Sequence, residues 1–218
     1  MEVAKNLILV LSALFPIVNP LGGSPIFLAL TREYSSGERK ALSMRIARNS
    51  FFLLVGSYLI GTHVLAFFGI SLPVVQVGGG LIVISTGWMM LRSPQESEKS
   101  QMDKRVTCRD PFSEAFYPLT LPLTVGPGSI SVAITLGANA HHADGPVWSI
   151  LTALIGSALI ALSIFLCYGF ADRLARALGE TSMSVIMRLS SFLLLCIGVQ
   201  IMWNGLKALL GEVPLHLG

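Results

Sequence analysis

Residues 16–25, PIVNPLGGSP, place three prolines and two adjacent glycines inside an apolar run from Leu7 to Leu30. Residues 118–127, PLTLPLTVGP, repeat the same proline spacing inside a second apolar run from Ala115 to Gly137. Each proline removes a backbone N–H donor and clashes with the preceding turn, so both runs are predicted to be bent or broken helices. The residues assigned to the breaks are Pro20, Pro25, Pro122 and Pro127.

The composition places both runs in a membrane. The chain is 53% hydrophobic and 12% charged, with a mean hydropathy of +0.71, whereas charged residues make up about a quarter of an ordinary soluble domain. Six apolar segments, each near the ~20 residues that cross a bilayer, cover about residues 7–30, 46–69, 72–91, 115–137, 148–170 and 186–210. We therefore expect an all-α, polytopic membrane protein that forms a single membrane domain over residues 1–218.

The two halves of the chain are predicted to be repeats. A polar linker, residues 92–111, separates repeat 1 (1–91) from repeat 2 (112–218), and each repeat holds three of the six segments. Gly56-Ser57 in the second segment is matched by Gly156-Ser157 in the fifth. Because three is an odd number, the second half must enter the membrane in the opposite sense. The pattern thus predicts two inverted three-helix repeats, with helices 1 and 4 broken at corresponding places.

The basic residues indicate the orientation. Of the 15 lysines and arginines, only Lys5 and Lys207 fall on one side of the predicted topology. Positively charged loops stay in the cytoplasm, so the linker is predicted to be cytoplasmic and both termini periplasmic. The net charge of +3 is therefore a consequence of membrane topology, and no nucleic-acid partner is expected.

The broken helices are the predicted binding site. A helix that restarts after a break presents free N–H groups and a partial positive charge, which suit a carboxylate, while the preceding half-helix offers carbonyls for an ammonium or alkali ion. A zwitterion would satisfy both. The substrate-binding candidates are Asn19, Gly22, Gly23, Ser24, Thr120, Thr124, Gly126, Gly128 and Ser129. In the structural alternative, the prolines only kink packed helices and the glycines allow close approach.

Charged groups are scarce where catalysis or proton transfer would need them. All 12 acidic residues fall in loops or at the ends of segments, so no carboxylate is predicted at mid-membrane. Ser129 has no base within reach, since His63 is the only histidine within a segment, and we expect no enzymatic activity, cofactor or metal site. Arg188, near the inner end of helix 6, is a candidate gate or ion-pair residue, or else extends to the cytoplasmic surface.

An ordered set of motifs resembles the MarC family of bacterial and archaeal integral membrane proteins. They are Asn19-Pro20-Leu21-Gly22, Gly79-Gly80-Leu81, Gly126-Pro127-Gly128-Ser129 and Gly198-Val199-Gln200. The resemblance implies six spans in the inner membrane, distant kinship with the LysE-type exporters, and transport of small neutral amino acids.

We therefore expect a secondary transporter of small solutes, with small neutral amino acids as the favoured substrates. Its partners would be the lipid bilayer and a small-molecule substrate, while a coupling ion and a homo-oligomer are both left open. The alternatives are an exporter of drugs or metabolites, and a membrane structural protein that transports nothing.

The predicted orientation can be tested with reporters fused to the C-terminus. At the C-terminus, we expect a reporter that functions only in the periplasm to be active, because the basic loops hold the linker in the cytoplasm. A cytoplasmic reporter at the same position should be inactive, and its activity would reverse the predicted topology.

Overall fold

The computed structural model describes residues 2–92, 115–143 and 146–212, and every regular element within these ranges is helical. The helices are α1 Glu2–Val18, α2 Pro20–Leu30, α3 Ser36–Phe67, α4 Leu72–Arg92, α5 Ala115–Thr124, α6 Pro127–Ala143, α7 Pro146–Gly169 and α8 Ala171–Glu212. Apart from Arg92, the predicted linker lies outside the described residues.

The helices are long and apolar enough for a multi-pass membrane protein. Five candidate spans cover Asn6–Leu30, Ser36–Phe67, Leu72–Arg92, Val147–Gly169 and Thr181–Gly211. A sixth is possible if the bent pair of α5 and α6, whose axes differ by 69°, crosses as one unit. The prediction of an all-α membrane protein is confirmed, while the inverted repeat stays a prediction.

Two helices extend well beyond the apolar segments that predicted them. The helix expected from about residue 46 begins at Ser36, because Ser35 forms a capping box with Glu38. The Ser35 N–H donates to Glu38 Oε2 at 2.8 Å, and the Glu38 N–H donates to Ser35 Oγ at 3.3 Å. Capping acts through local hydrogen bonds, so hydropathy alone does not locate this helix start.

The last span is preceded by a separate helical segment that the apolar pattern did not show. Gly179 interrupts α8 with φ 73° and ψ 165°, a region that only glycine adopts readily. Residues 171–178 therefore form a short helix that follows α7. The part of α8 that is long and apolar enough to span a membrane begins after the turn at Gly179.

The main hydrophobic core lies among α1, α2, α3, α5, α6 and α7, with Leu14, Phe27, Leu54 and Ile160 among its fully buried side chains. Among the described residues of this cluster, α8 contributes only Ala171 and α4 contributes none. The bundle is thus built around the two proline-rich segments, with α4 and most of α8 outside its centre.

An ion pair and a cluster of cations around an aromatic ring join two distant parts of the chain at one end of the bundle. Arg39 on α3, almost fully buried, bonds to Asp172 at the start of α8. Beside them, Lys40 Nζ and the Arg173 guanidinium lie 5.7 and 5.5 Å from the centre of the Phe170 ring. The start of α3 is therefore fixed to the α7–α8 junction by charge as well as by packing.

α4 and α8 pack antiparallel to each other through glycines. A Cβ added at Gly80 would lie 2.6 Å from the Met202 backbone nitrogen and 2.8 Å from the Gly198 carbonyl oxygen. A Cβ added at Gly198 would meet the Ile84 backbone nitrogen at 2.7 Å. In lipid, an apolar side chain gains little by leaving the lipid tails for another helix. Helices therefore gain stability mainly from the close packing that glycines permit.

Gly80→Ala is expected to destabilise the α4–α8 pair, because the added methyl group would collide with backbone atoms that cannot rotate away. We expect a loss of about 1–3 kcal/mol, the usual cost of overpacking, measured as a lower midpoint of thermal unfolding in detergent. Gly78→Ala is the matched control, since no described atom outside its own stretch of helix lies within 4 Å of its Cβ position. Equal midpoints for the two variants would show that the glycine contact contributes nothing.

Candidate functional site

The first proline-rich segment changes backbone direction at Asn19. This residue has φ 46° and ψ 58° in the left-handed region, which asparagine tolerates better than most residues. Its Oδ1 accepts a hydrogen bond from the Gly22 N–H at 3.1 Å, so it caps α2, and Pro20 occupies the first helical position. α1 and α2 nevertheless stay close enough in line to count as one span.

Ser24 compensates for a donor that Pro25 cannot supply. In a regular helix the N–H of residue 25 would bond to the Leu21 carbonyl, and proline has none. The Ser24 hydroxyl donates to that carbonyl at 2.9 Å instead, and its side chain is buried. The Ser24 hydroxyl, predicted to bind substrate, is thus already hydrogen-bonded to a backbone carbonyl of its own helix.

The second proline-rich segment is more strongly distorted. Tyr117 and Leu121, each followed by a proline, have extended backbone angles inside α5, as expected for residues that precede proline. α6 then begins at Pro127, with its axis turned 69° from that of α5. The segment is therefore a true bend between two helices.

Two threonines satisfy the backbone of this bend. The Thr120 hydroxyl donates to the Ala115 carbonyl at 2.6 Å, and the Thr124 hydroxyl donates to the Leu119 carbonyl at 2.7 Å. Both side chains are buried. Since each hydroxyl hydrogen is already engaged, what these side chains offer to any other group is oxygen lone pairs.

Tyr168 on α7 connects the two proline-rich segments. Its fully buried ring stacks on Phe27 of α2, with centroids 4.7 Å apart and planes 11° apart. Its hydroxyl lies 3.2 Å from Thr124 Oγ1, and a Cβ added at Gly23 would lie 2.5 Å from the same hydroxyl oxygen. Gly23 and Thr124, predicted from separate halves of the sequence, therefore meet at one phenol.

Sequence reasoning did not select Tyr168, although a signal was present. It is a lone phenol near the end of an otherwise apolar span, and a buried phenol needs a hydrogen-bond partner. Asn49 on α3 was missed as well, and its Nδ2 lies 3.4 Å from Thr120 Oγ1. Both residues are placed by contacts between helices, which the spacing along the chain does not show.

Two buried polar atoms near these segments have no hydrogen-bond partner within the described part of the chain. They are Asn19 Nδ2, at the first break, and Ser50 Oγ, next to Asn49. Buried polar atoms are nearly always hydrogen-bonded. An unpartnered amide N–H and an unpartnered hydroxyl beside the proline-rich segments are therefore groups that a polar solute could satisfy.

The remaining predicted residues lie apart from the Tyr168 contact. Gly22 packs on the Asn19 side chain, and Gly128 packs against Val83 of α4. The buried Ser129 donates to the Gly126 carbonyl at 2.9 Å. Pro122 and Pro127 are exposed, Pro20 is buried and Pro25 is half-buried. Arg188 is exposed on α8 and forms no ion pair with any residue whose side chain the structure describes.

Comparison with known proteins identifies relatives over nearly the whole chain. The family described as "MarC family integral membrane protein" matches residues 4–210. The inner membrane protein MarC of Citrobacter koseri is 35% identical over 214 residues, which cover 94% of this chain and 96% of the relative. The membrane protein YvbG of Bacillus subtilis is 30% identical over 198 residues, covering 90% and 92%. No solved structure matches the chain.

The Tyr168 contact can be tested by a rescue experiment. Gly23→Ala should destabilise the protein, because its methyl group would press on the tyrosine hydroxyl oxygen. In the Tyr168→Phe background the nearest ring carbon is 3.4 Å away, so the same change should cost little. We expect the effect of the double substitution on the free energy of unfolding to differ from the sum of the two single effects by about 1 kcal/mol or more.

Gly22→Ala is the control for this cycle, since its methyl group would meet the Asn19 side chain and not Tyr168. Its cost should be the same with tyrosine or phenylalanine at position 168. Additive effects for Gly23→Ala and Tyr168→Phe would contradict the contact.

Proposed function

We propose that this chain, which belongs to the MarC family of integral membrane proteins, is a secondary transporter of small solutes, with small neutral amino acids as its substrates. It is a multi-pass protein of the inner membrane. The observation that carries the proposal is the meeting of the two proline-rich segments at Tyr168, through Thr124 on one side and Gly23 and Phe27 on the other.

The chemistry around the two segments fits a zwitterion. The oxygen lone pairs of Thr120 and Thr124 can accept hydrogen bonds from an ammonium group, because both hydroxyl hydrogens are engaged by backbone carbonyls. The N-terminus of α6, where Pro127 begins the helix after the bend, offers N–H groups and the positive end of the helix dipole to a carboxylate. Asn19 Nδ2 is a further donor without a partner in the described residues.

The surroundings favour a small and weakly polar side chain on the substrate. The described hydrogen-bond partners of Thr120, Thr124 and Tyr168 are carbonyls, an amide and hydroxyls, with no carboxylate among them to pair with a cationic side chain. Phe27 and Tyr168 present apolar ring surface instead. Glycine, alanine and serine fit this description better than charged amino acids do.

The proposed transport cycle moves one half of the protein against the other around the broken helices. If the halves are inverted repeats, the two breaks face opposite sides of the membrane and can open alternately. The stack of Phe27 on Tyr168 joins α2 to α7, so this contact has to slide or separate as the site opens. The ion pair of Arg39 with Asp172 would hold one end closed in the conformation described here. Arg188 stays a candidate for a gate.

Transport is best tested by counterflow of labelled glycine and alanine in proteoliposomes, with and without sodium and proton gradients. We expect uptake by the native protein and an approximately tenfold loss in Thr124→Val, equivalent to about 1.4 kcal/mol in the barrier. The substitution keeps the shape of the side chain and removes the lone pairs that would receive the ammonium.

Thr86→Val is the matched control, because the Thr86 hydroxyl is exposed on α4 and donates to its own Ile82 carbonyl at 2.9 Å. It should transport like the native protein. If folded native protein moves no amino acid under any gradient, the amino-acid proposal is wrong, and export of a drug or metabolite becomes the next hypothesis to test.

A further inference from the structure

The exposed face of α8 carries a polar pair. Gln200 Nε2 donates to Asn204 Oδ1 at 2.9 Å, and both side chains are exposed. Their neighbours on this face include large apolar side chains, with Phe192 56%, Val199 45% and Trp203 57% exposed, and the exposed Lys207 lies on the same side one turn further on. An exposed apolar side chain is ordinary on a membrane helix, whereas an exposed pair of amides is not.

Both amides fall within the hydrocarbon when the candidate span is centred in the bilayer. The candidate span Thr181–Gly211 has its midpoint at residue 196, so at 1.5 Å per residue Gln200 is about 6 Å and Asn204 about 12 Å from it. The hydrocarbon core of a bilayer extends about 15 Å from its centre. Neither side chain can therefore be treated as a headgroup contact if the span is centred in the bilayer.

The bond between the two amides leaves most of their polar capacity unused. An amide side chain has two N–H donors and two carbonyl lone pairs. The single bond uses one donor of Gln200 and one lone pair of Asn204, and the described residues offer no further partner for the rest. Unsatisfied amide groups in hydrocarbon are costly, so a surface built only to face lipid would not carry them.

We propose that this face of α8 binds a second copy of the same chain. Amides carry donors and acceptors alike, so the Gln200–Asn204 pair is complementary to an identical pair. Two copies inserted in the same sense can form a closed dimer only about an axis along the membrane normal. The two α8 helices then run parallel, and Asn204 of one copy lies opposite Asn204 of the other, as in the polar layers of parallel coiled coils.

Within the described part of the chain, this face of α8 is exposed and available for such a contact. The opposite side of the helix is occupied by α4, which approaches through Gly80 and Gly198 so closely that no side chain fits between them. Gln200 and Asn204 point to neither α4 nor the core, since both are exposed. The dimer would therefore form without disturbing the α4–α8 contact or the proline-rich segments.

The native Cys196 provides a readout, because it is an exposed free thiol on α8 one turn before Gln200. With Cys108 and Cys167 replaced by serine, molecular iodine, which partitions into the bilayer and oxidises two thiols to a disulfide with release of two hydrogen iodide, should join two chains through Cys196 in native membranes. We expect the crosslinked dimer to be the main product, and to fall about tenfold in the Gln200→Leu/Asn204→Leu variant. Leucine at lipid-exposed positions does not threaten folding.

The control carries Cys196→Ser and Leu162→Cys in the same background, which moves the single thiol to another exposed position, on α7. It should give little dimer. Subunit counting by single-molecule photobleaching, at a high lipid-to-protein ratio, should show two copies for the native protein and one for the double leucine variant. Crosslinking no stronger than in the control, insensitivity to the leucine substitutions, or a Cys196 product with a different protein would each overturn the proposal.

Discussion

The structure depends on the requirement that backbone polar groups inside a membrane be satisfied by the protein itself. Each proline-rich segment carries three prolines, the first within a candidate span and the second within a bent pair of helices. The hydroxyls of Ser24, Thr120 and Thr124 donate to backbone carbonyls of those segments, and Asn19 caps the helix that restarts after the first break. These four side chains supply hydrogen bonds to backbone groups of the proline-rich segments.

The same requirement changes what the predicted binding residues can do. A threonine whose hydrogen is bonded to a carbonyl can only accept, so Thr120 and Thr124 favour a donor such as an ammonium group or the Asn49 amide. The structural and the binding interpretations of the proline motifs are therefore compatible. The hydroxyls stabilise the breaks through their hydrogens and remain available through their oxygens.

Much of the fold could be predicted from the sequence, because hydropathy and length decide which segments can cross a bilayer. The apolar runs predict the spans well, but they do not predict the start of α3 at Ser36 or the turn at Gly179, which depend on a capping box and on one left-handed glycine. At the site, the sequence predicts both proline-rich segments. It does not predict Tyr168 or Asn49, since each matters only because another helix brings it into contact.

The two proline-rich segments share one proline spacing but differ in backbone geometry, for a physical reason. At the first segment one left-handed residue, Asn19, absorbs the change of direction, and α1 and α2 remain one span. At the second, two extended residues precede prolines within α5, and the chain turns by 69° before α6. A proline spacing fixes where donors are lost, while the neighbouring residues decide whether the chain kinks or bends away. If the proposed cycle moves one half against the other, the two breaks cannot move alike, because the first lies within one span and the second joins two helices whose axes differ by 69°.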